Sequence, residues 1–215
     1  MEFLPGISLA KLIEMEKHLP YPRAIHLLLQ VCASLKEAHG RGMIHRDIKP
    51  LNIMVCMIGG DYDVVKVIDF GLVKRIKDLV PSESFESLSH SIQDTPAYLP
   101  PELLAQPSAA NPLTDIYSLG VVAYRMLSGR HLFDSTHEAG LIYDIVHTKP
   151  GNLAELRPDL PPALVKIVMQ CVDKNPLARP PSMQALIAGL TAALNQPAWS
   201  QIDAKEWWDL RDDLL

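Results

Sequence analysis

Residues 113–127, LTDIYSLGVVAYRML, leave almost no polar face on a helix, and in a globular chain such a helix belongs at the centre of the core. The material for that core is present: 215 residues, 48% hydrophobic and 21% charged, are enough for one compact domain with an ordinary surface. Residues 22–39 place Ile25, Leu28, Leu29, Cys32 and Leu35 at three- and four-residue spacing, with Pro22 suited to the first turn and Gly40 to the end. Further helices are expected over 138–148, 161–173 and 182–194. Two β-rich runs, Ile53–Ile58 and 64–68, flank Gly59-Gly60-Asp61, a hairpin signal, so a short two-stranded ribbon is expected after the first helix. Residues 74–94 hold five serines and no apolar period, the pattern of a long exposed loop.

Charge and cysteine usage narrow the possibilities. A net charge of −5 with scattered Lys and Arg gives no basic footprint for nucleic acid. Cys32, Cys56 and Cys171 lie far apart in apolar stretches, where free cysteine acts as a small buried hydrophobe, and this favours a reducing, cytoplasmic setting. No run approaches the roughly 18 apolar residues that span a bilayer, and the N-terminus lacks signal-peptide character, so a soluble chain is expected. In the tail, Trp199, Trp207 and Trp208 are expected to pack back onto the domain rather than to bind a ligand.

The polar residues of interest collect around the hairpin. His45-Arg46-Asp47-Ile48-Lys49-Pro50-Leu51-Asn52 precedes its first strand, and Asp69-Phe70-Gly71 follows its second. Phosphoryl transfer needs an acceptor-orienting base, hard oxygen ligands for Mg²⁺ and a cation near the transferred group. Asp47 can serve as the base, Asn52 and Asp69 as the ligands, and Lys49 as the cation. Each residue taken singly has a plainer role open to it, since an Asp before a hairpin can cap a turn and Asn52 can satisfy loop backbone.

The ordered set H-R-D-x-K-P-x-N, then D-F-G, then Thr95-Pro96-Ala97-Tyr98 with Pro101-Glu102, resembles the eukaryotic-like serine/threonine protein kinases, with a bacterial flavour in A-Y-L-P-P-E-L-L. The resemblance implies a mainly α fold, the C-terminal (large) lobe of a protein kinase with a small β-hairpin, over residues 1–195, followed by a Trp-containing tail, 196–215. It implies transfer of the γ-phosphate of Mg-ATP to Ser or Thr hydroxyls of a protein substrate. Asp47 and Lys49 are then catalytic, and Asn52 and Asp69 hold Mg²⁺. Glu2 and Leu4 face the adenine edge through their backbone, and Met54 forms the adenine floor. Lys49 in the loop and Thr95 in the docking segment point to Ser or Thr as acceptor. Small-molecule phosphotransferases with a similar loop lack that segment.

The same resemblance assigns supporting roles. Glu102 and Arg179 are expected to form a buried ion pair, and Asp115 to accept backbone donors of the catalytic loop. Arg46 is suited to a phosphate on the 74–94 loop, where Ser82, Ser84, Ser87, Ser89 and Ser91 are candidates. Departures are also visible: Asp94 replaces the usual glycine, Leu51 replaces a usual polar residue, and neither a Gly-rich phosphate loop nor a V-A-I-K lysine is found. The chain opens at a segment resembling the kinase hinge, so the N-terminal β-rich lobe is expected to be missing and the chain to be an inactive fragment. The rival expectation is a non-catalytic, pseudokinase-like interaction module.

Overall fold

The computed structural model describes residues 4–70 and 96–211. The chain enters as a short strand β1 (Gly6–Ser8), turns into helix α1 (Leu9–Glu16) and then into the long helix α2 (Tyr21–Gly40). A turn of 3₁₀ helix (Pro50–Asn52) leads into strands β2 (Ile53–Ile58) and β3 (Asp61–Val67). Beyond the undescribed stretch, another 3₁₀ turn (Pro96–Tyr98) precedes α3 (Pro101–Ala105) and α4 (Pro112–Ser128). The remaining helices are α5 (Glu138–His147), α6 (Leu153–Leu156), α7 (Pro162–Cys171), α8 (Met183–Ala192) and α9 (Gln201–Asp209).

Helix α4 is the centre foreseen from its sequence. Asn111 caps it, accepting from the Leu113 amide at 2.8 Å, and Pro112 occupies the first turn where a missing N–H costs nothing. Ile116, Tyr117, Leu119, Val121, Val122, Tyr124, Met126 and Leu127 are all buried on it. Helices α2 and α7 pack against α4, and α8 closes over α2 and α7. Full burial of each such side chain contributes about 1.5–3 kcal/mol, so this helix and α2 together supply much of the core. The three cysteines are buried thiols, and loss of solvent pushes Cys32 up to about 12.

The sheet is larger than the expected ribbon. β1 pairs antiparallel with β2, giving three strands in the order β1-β2-β3. A three-residue strand carries too little alternation to be read from sequence. The second hairpin strand also starts earlier than residue 64, at Asp61, because Ile58 pairs with Asp61 and leaves only Gly59-Gly60 in the turn. Both glycines have positive φ, 65° and 92°, as a two-residue primed turn requires. Between the Cys56–Val64 and Ile58–Asp61 pairs, β3 carries one more residue than β2, and Asp63 sits in this bulge with φ 54°.

Two tertiary ties fix the layers. Arg179 on the segment before α8 forms a fork with Glu102 of α3, at 2.6 and 2.8 Å, and also donates to the Leu113 and Asp173 carbonyls. This is the expected ion pair, with the arginine side chain fully buried and the carboxylate 17% exposed. At the other end, α9 lies against β3, with Trp208 buried and Trp207 nearly so, as the tail's aromatic content anticipated.

Gly6 lies so close to β2 that a Cβ there would stand 2.2 Å from the Val55 carbonyl oxygen, a backbone atom that cannot step aside. Gly6→Ala is therefore expected to loosen β1 and to lower stability by about 1–3 kcal/mol in urea unfolding. Glu102→Ala, which strands a buried guanidinium, is expected to cost about 3 kcal/mol in the same assay, and Glu102→Gln less, since an acceptor remains.

Candidate active site

The loop after α2 owes its shape to a single buried carboxylate. Helix α2 closes with the amides of Arg41, Gly42 and Met43 folded back on the Ala38 and His39 carbonyls. The chain then crosses above α4, where Asp115 Oδ2 accepts the His45 amide at 2.9 Å and Oδ1 accepts the Arg46 amide at 2.9 Å. His39, from the last turn of α2, places its Nε2 2.8 Å from the same Oδ2. Asp115 thus meets the role expected for it, and His39 is an unforeseen third partner. Arg46 adopts φ 68°, a left-handed conformation that the flanking anchors hold in place.

From that anchor the loop is knitted to the far end of the hairpin. The Asp47 amide donates to His45 Nδ1 at 3.3 Å, and His45 Nε2 lies 3.0 Å from the Ile68 carbonyl oxygen. The tautomer with its proton on Nε2 satisfies both contacts. The His45 ring also meets Phe70 edge-on at 4.6 Å. On the other side, the Ile68 amide donates to the Asn52 carbonyl at 3.0 Å.

The predicted catalytic residues fall together here. Asn52 Nδ2 donates to the Asp47 carbonyl at 2.8 Å and to Asp47 Oδ2 at 3.0 Å, and Lys49 Nζ stands 3.0 Å from that same oxygen. Lys49 and Asn52 are buried, whereas Asp47 retains partial solvent access. Because the Asn52 nitrogen is turned to Asp47, its amide oxygen is turned away from it. Asp69 follows Ile68 directly with φ 63° and is solvent-exposed. Two hard-oxygen side chains, Asn52 and Asp69, therefore flank the backbone bond between residues 52 and 68, a donor set suited to Mg²⁺ and unsuited to a soft metal.

Other expected residues are placed less centrally. Met54 is half-buried on β2, paired across to Ser8 of β1 and Lys66 of β3. Leu4 precedes β1 and is half-buried. Leu51 is 47% exposed. Tyr98 of the docking segment is held from α4, its carbonyl by the Ser118 hydroxyl at 2.8 Å and its own hydroxyl by Arg125 at 2.7 Å. Tyr117, beneath Arg179, keeps a buried hydroxyl that has no hydrogen-bond partner among the described residues, and burial pushes that hydroxyl up from its ordinary value. Glu2, Gly71, Asp94, Thr95 and the candidate serines lie outside the described residues. Among the described residues no helix is long and apolar enough to cross a membrane.

Residues 1–189 match the family model described as the protein kinase domain. The serine/threonine-protein kinase pkn3 of Myxococcus xanthus is 34% identical over 194 residues, covering 89% of this chain and 35% of that protein. PknB of Mycolicibacterium smegmatis is 31% identical over 176 residues, 82% of this chain and 27% of that protein. The chain thus spans about a third or less of the curated relatives it matches. The crystal structure of Rad53 in complex with AMP-PNP superposes with a TM-score of 0.67 over 86% of this chain and 44% of that one, at 22% identity, a likeness of fold. With the loop, the hairpin and the family match in agreement, the chain belongs to the protein kinase domain family and resembles its bacterial serine/threonine members.

Proposed function

We propose that this chain carries the catalytic half of a serine/threonine protein kinase, residues 1–195 as the large lobe with 196–215 as a docked tail. The observation that carries this reading is the Asp47 carboxylate, oriented by Asn52 and Lys49 in a loop whose amides are fixed by Asp115. Bound Mg-ATP supplies the transferable γ-phosphoryl group and the metal charge that neutralises it. Asp47 receives the proton of the acceptor hydroxyl, and its two partners keep the carboxylate aimed while it does so. Lys49 places a cation beside the transferred group. Asn52 and Asp69 supply oxygen ligands to Mg²⁺ from the two ends of the hairpin, where the bond between residues 52 and 68 holds their spacing. Met54 would form the floor for the adenine and the backbone of Leu4 would meet its edge, with Glu2, outside the described residues, assigned the same role by the resemblance alone.

A protein acceptor fits the segment from Pro96 to Glu102, which is fastened to α4 through Tyr98 and to Arg179 through Glu102. The setting is cytoplasmic. The rival reading is an interaction module without catalysis.

The test is phosphate transfer from Mg-ATP to a generic protein substrate, by the 215-residue chain and by the full gene product that carries it. Transfer by either one, reduced about a hundredfold or more by Asp47→Asn, supports the kinase. Absence of both transfer and nucleotide binding from both leaves the interaction module. Asp115→Asn, which removes one anchor while leaving the base, is expected to lower transfer about tenfold through misplacement. It is also expected to lower unfolding stability by about 1–3 kcal/mol.

A further inference from the structure

Strand β3 is an edge strand: β2 holds one side, and the other side would present bare N–H and C=O groups. Two glutamines cover that side. Gln30 of α2 accepts from the Val65 amide at 3.0 Å and donates to the Asp63 carbonyl at 2.8 Å. Gln201, the first residue of α9, accepts from the Tyr62 amide at 2.8 Å and donates to the Tyr62 carbonyl at 3.0 Å. The tail therefore hydrogen-bonds to β3 much as a neighbouring strand would.

At the bulge between these two glutamines, Asp63 is fully buried and accepts four charge-assisted or indole hydrogen bonds. Arg23 of α2 gives two at 2.8 Å, and Trp199 and Trp208 of the tail give one each at 2.9 Å. The Arg23 guanidinium lies 4.0 Å from the Trp207 ring centroid, so the ion pair is roofed by the tail. Trp207 in turn donates to Glu16 at the end of α1. The family model's match stops at residue 189, before any of these tail residues.

We infer that Asp63 is a positioning residue for the metal-binding end of the hairpin, with the tail as the part that seats it. β3 runs from the bulge at Asp63 to Val67, and Asp69 lies two residues beyond. With one in-sheet neighbour, the height of β3 is set by what grips its outer edge. Arg23 and Gln30 of α2, with Trp199, Trp208 and Gln201 of the tail, are that grip. Loosening it lets β3 slide or tilt against β2, which separates Asp69 from Asn52 while leaving α4 and the Asp47 loop in place. The catalytic consequence rests on the kinase reading above, but the mechanical coupling does not.

Amide hydrogen exchange in the 215-residue chain tests the coupling without requiring activity. Trp208→Phe removes one donor to Asp63 and keeps an aromatic ring. Gln201→Ala, at an exposed position, removes the bridge to Tyr62 and leaves the core untouched. Each variant is expected to speed exchange at Ile68, whose amide bonds the Asn52 carbonyl, by roughly tenfold, with the amides of α4 unchanged. Acceleration confined to residues 199–211, or spread equally over α4, overturns the inference. In the full gene product, the Mg²⁺ concentration giving half-maximal transfer should rise severalfold in Trp208→Phe, with the KM for the protein substrate unchanged. An unchanged Mg²⁺ requirement also overturns it. If the unaltered protein transfers no phosphate, the kinase reading falls and the exchange result alone decides the coupling.

Discussion

Asp115 is the interaction on which the site depends. A carboxylate brought into an apolar helix is costly unless its oxygens are fully occupied, and the donors available are the amides of residues 45 and 46 and the ring of His39. The most apolar helix of the chain thereby becomes the base plate for its most polar loop. Because α4 is gripped on nearly every face, the carboxylate hardly moves, and neither do the amides bound to it. The left-handed turn at Arg46 and the orientation of Asp47 follow from that fixed point. Farther along α4, Ser118 and Arg125 hold Tyr98, so one helix sets both the loop and the platform beside it.

Much of this was legible in the sequence, for identifiable reasons. The helices announced themselves by period, and their observed ends fall within two residues of those expected. Asp115 and the Glu102–Arg179 pair were recognisable only through the resemblance of the segments around them to the kinase family. β1 and α1 escaped notice: three residues do not establish an alternation, and the eight-residue helix lies between a short strand and a proline. The hairpin was found but its second strand was begun late, since the bulge at Asp63 interrupts the alternation that would have revealed residues 61–63.

The Asp63 assembly could not have been read from the sequence in the same way. Its carboxylate draws partners from positions 23, 199 and 208, separations that no local spacing rule reaches. The tryptophans did signal a docked tail, because three large rings near an acidic chain end need a surface to cover. What they dock onto is a charge, and nothing in the pattern DYDVVKV marks its second aspartate as different from its first. Burial alone distinguishes them.

Trp199, Trp207 and Trp208 are all the tryptophans the chain possesses, and all three stand within this one dock. Indole emission from the protein is therefore a local gauge. Two of the three indoles give their N–H to Asp63 and the third gives its N–H to Glu16, so their fluorescence reports how the tail is seated and has no probe in α4 or the Asp47 loop. Followed by emission, the molecule reveals its edge; its centre is visible only to methods that see helices.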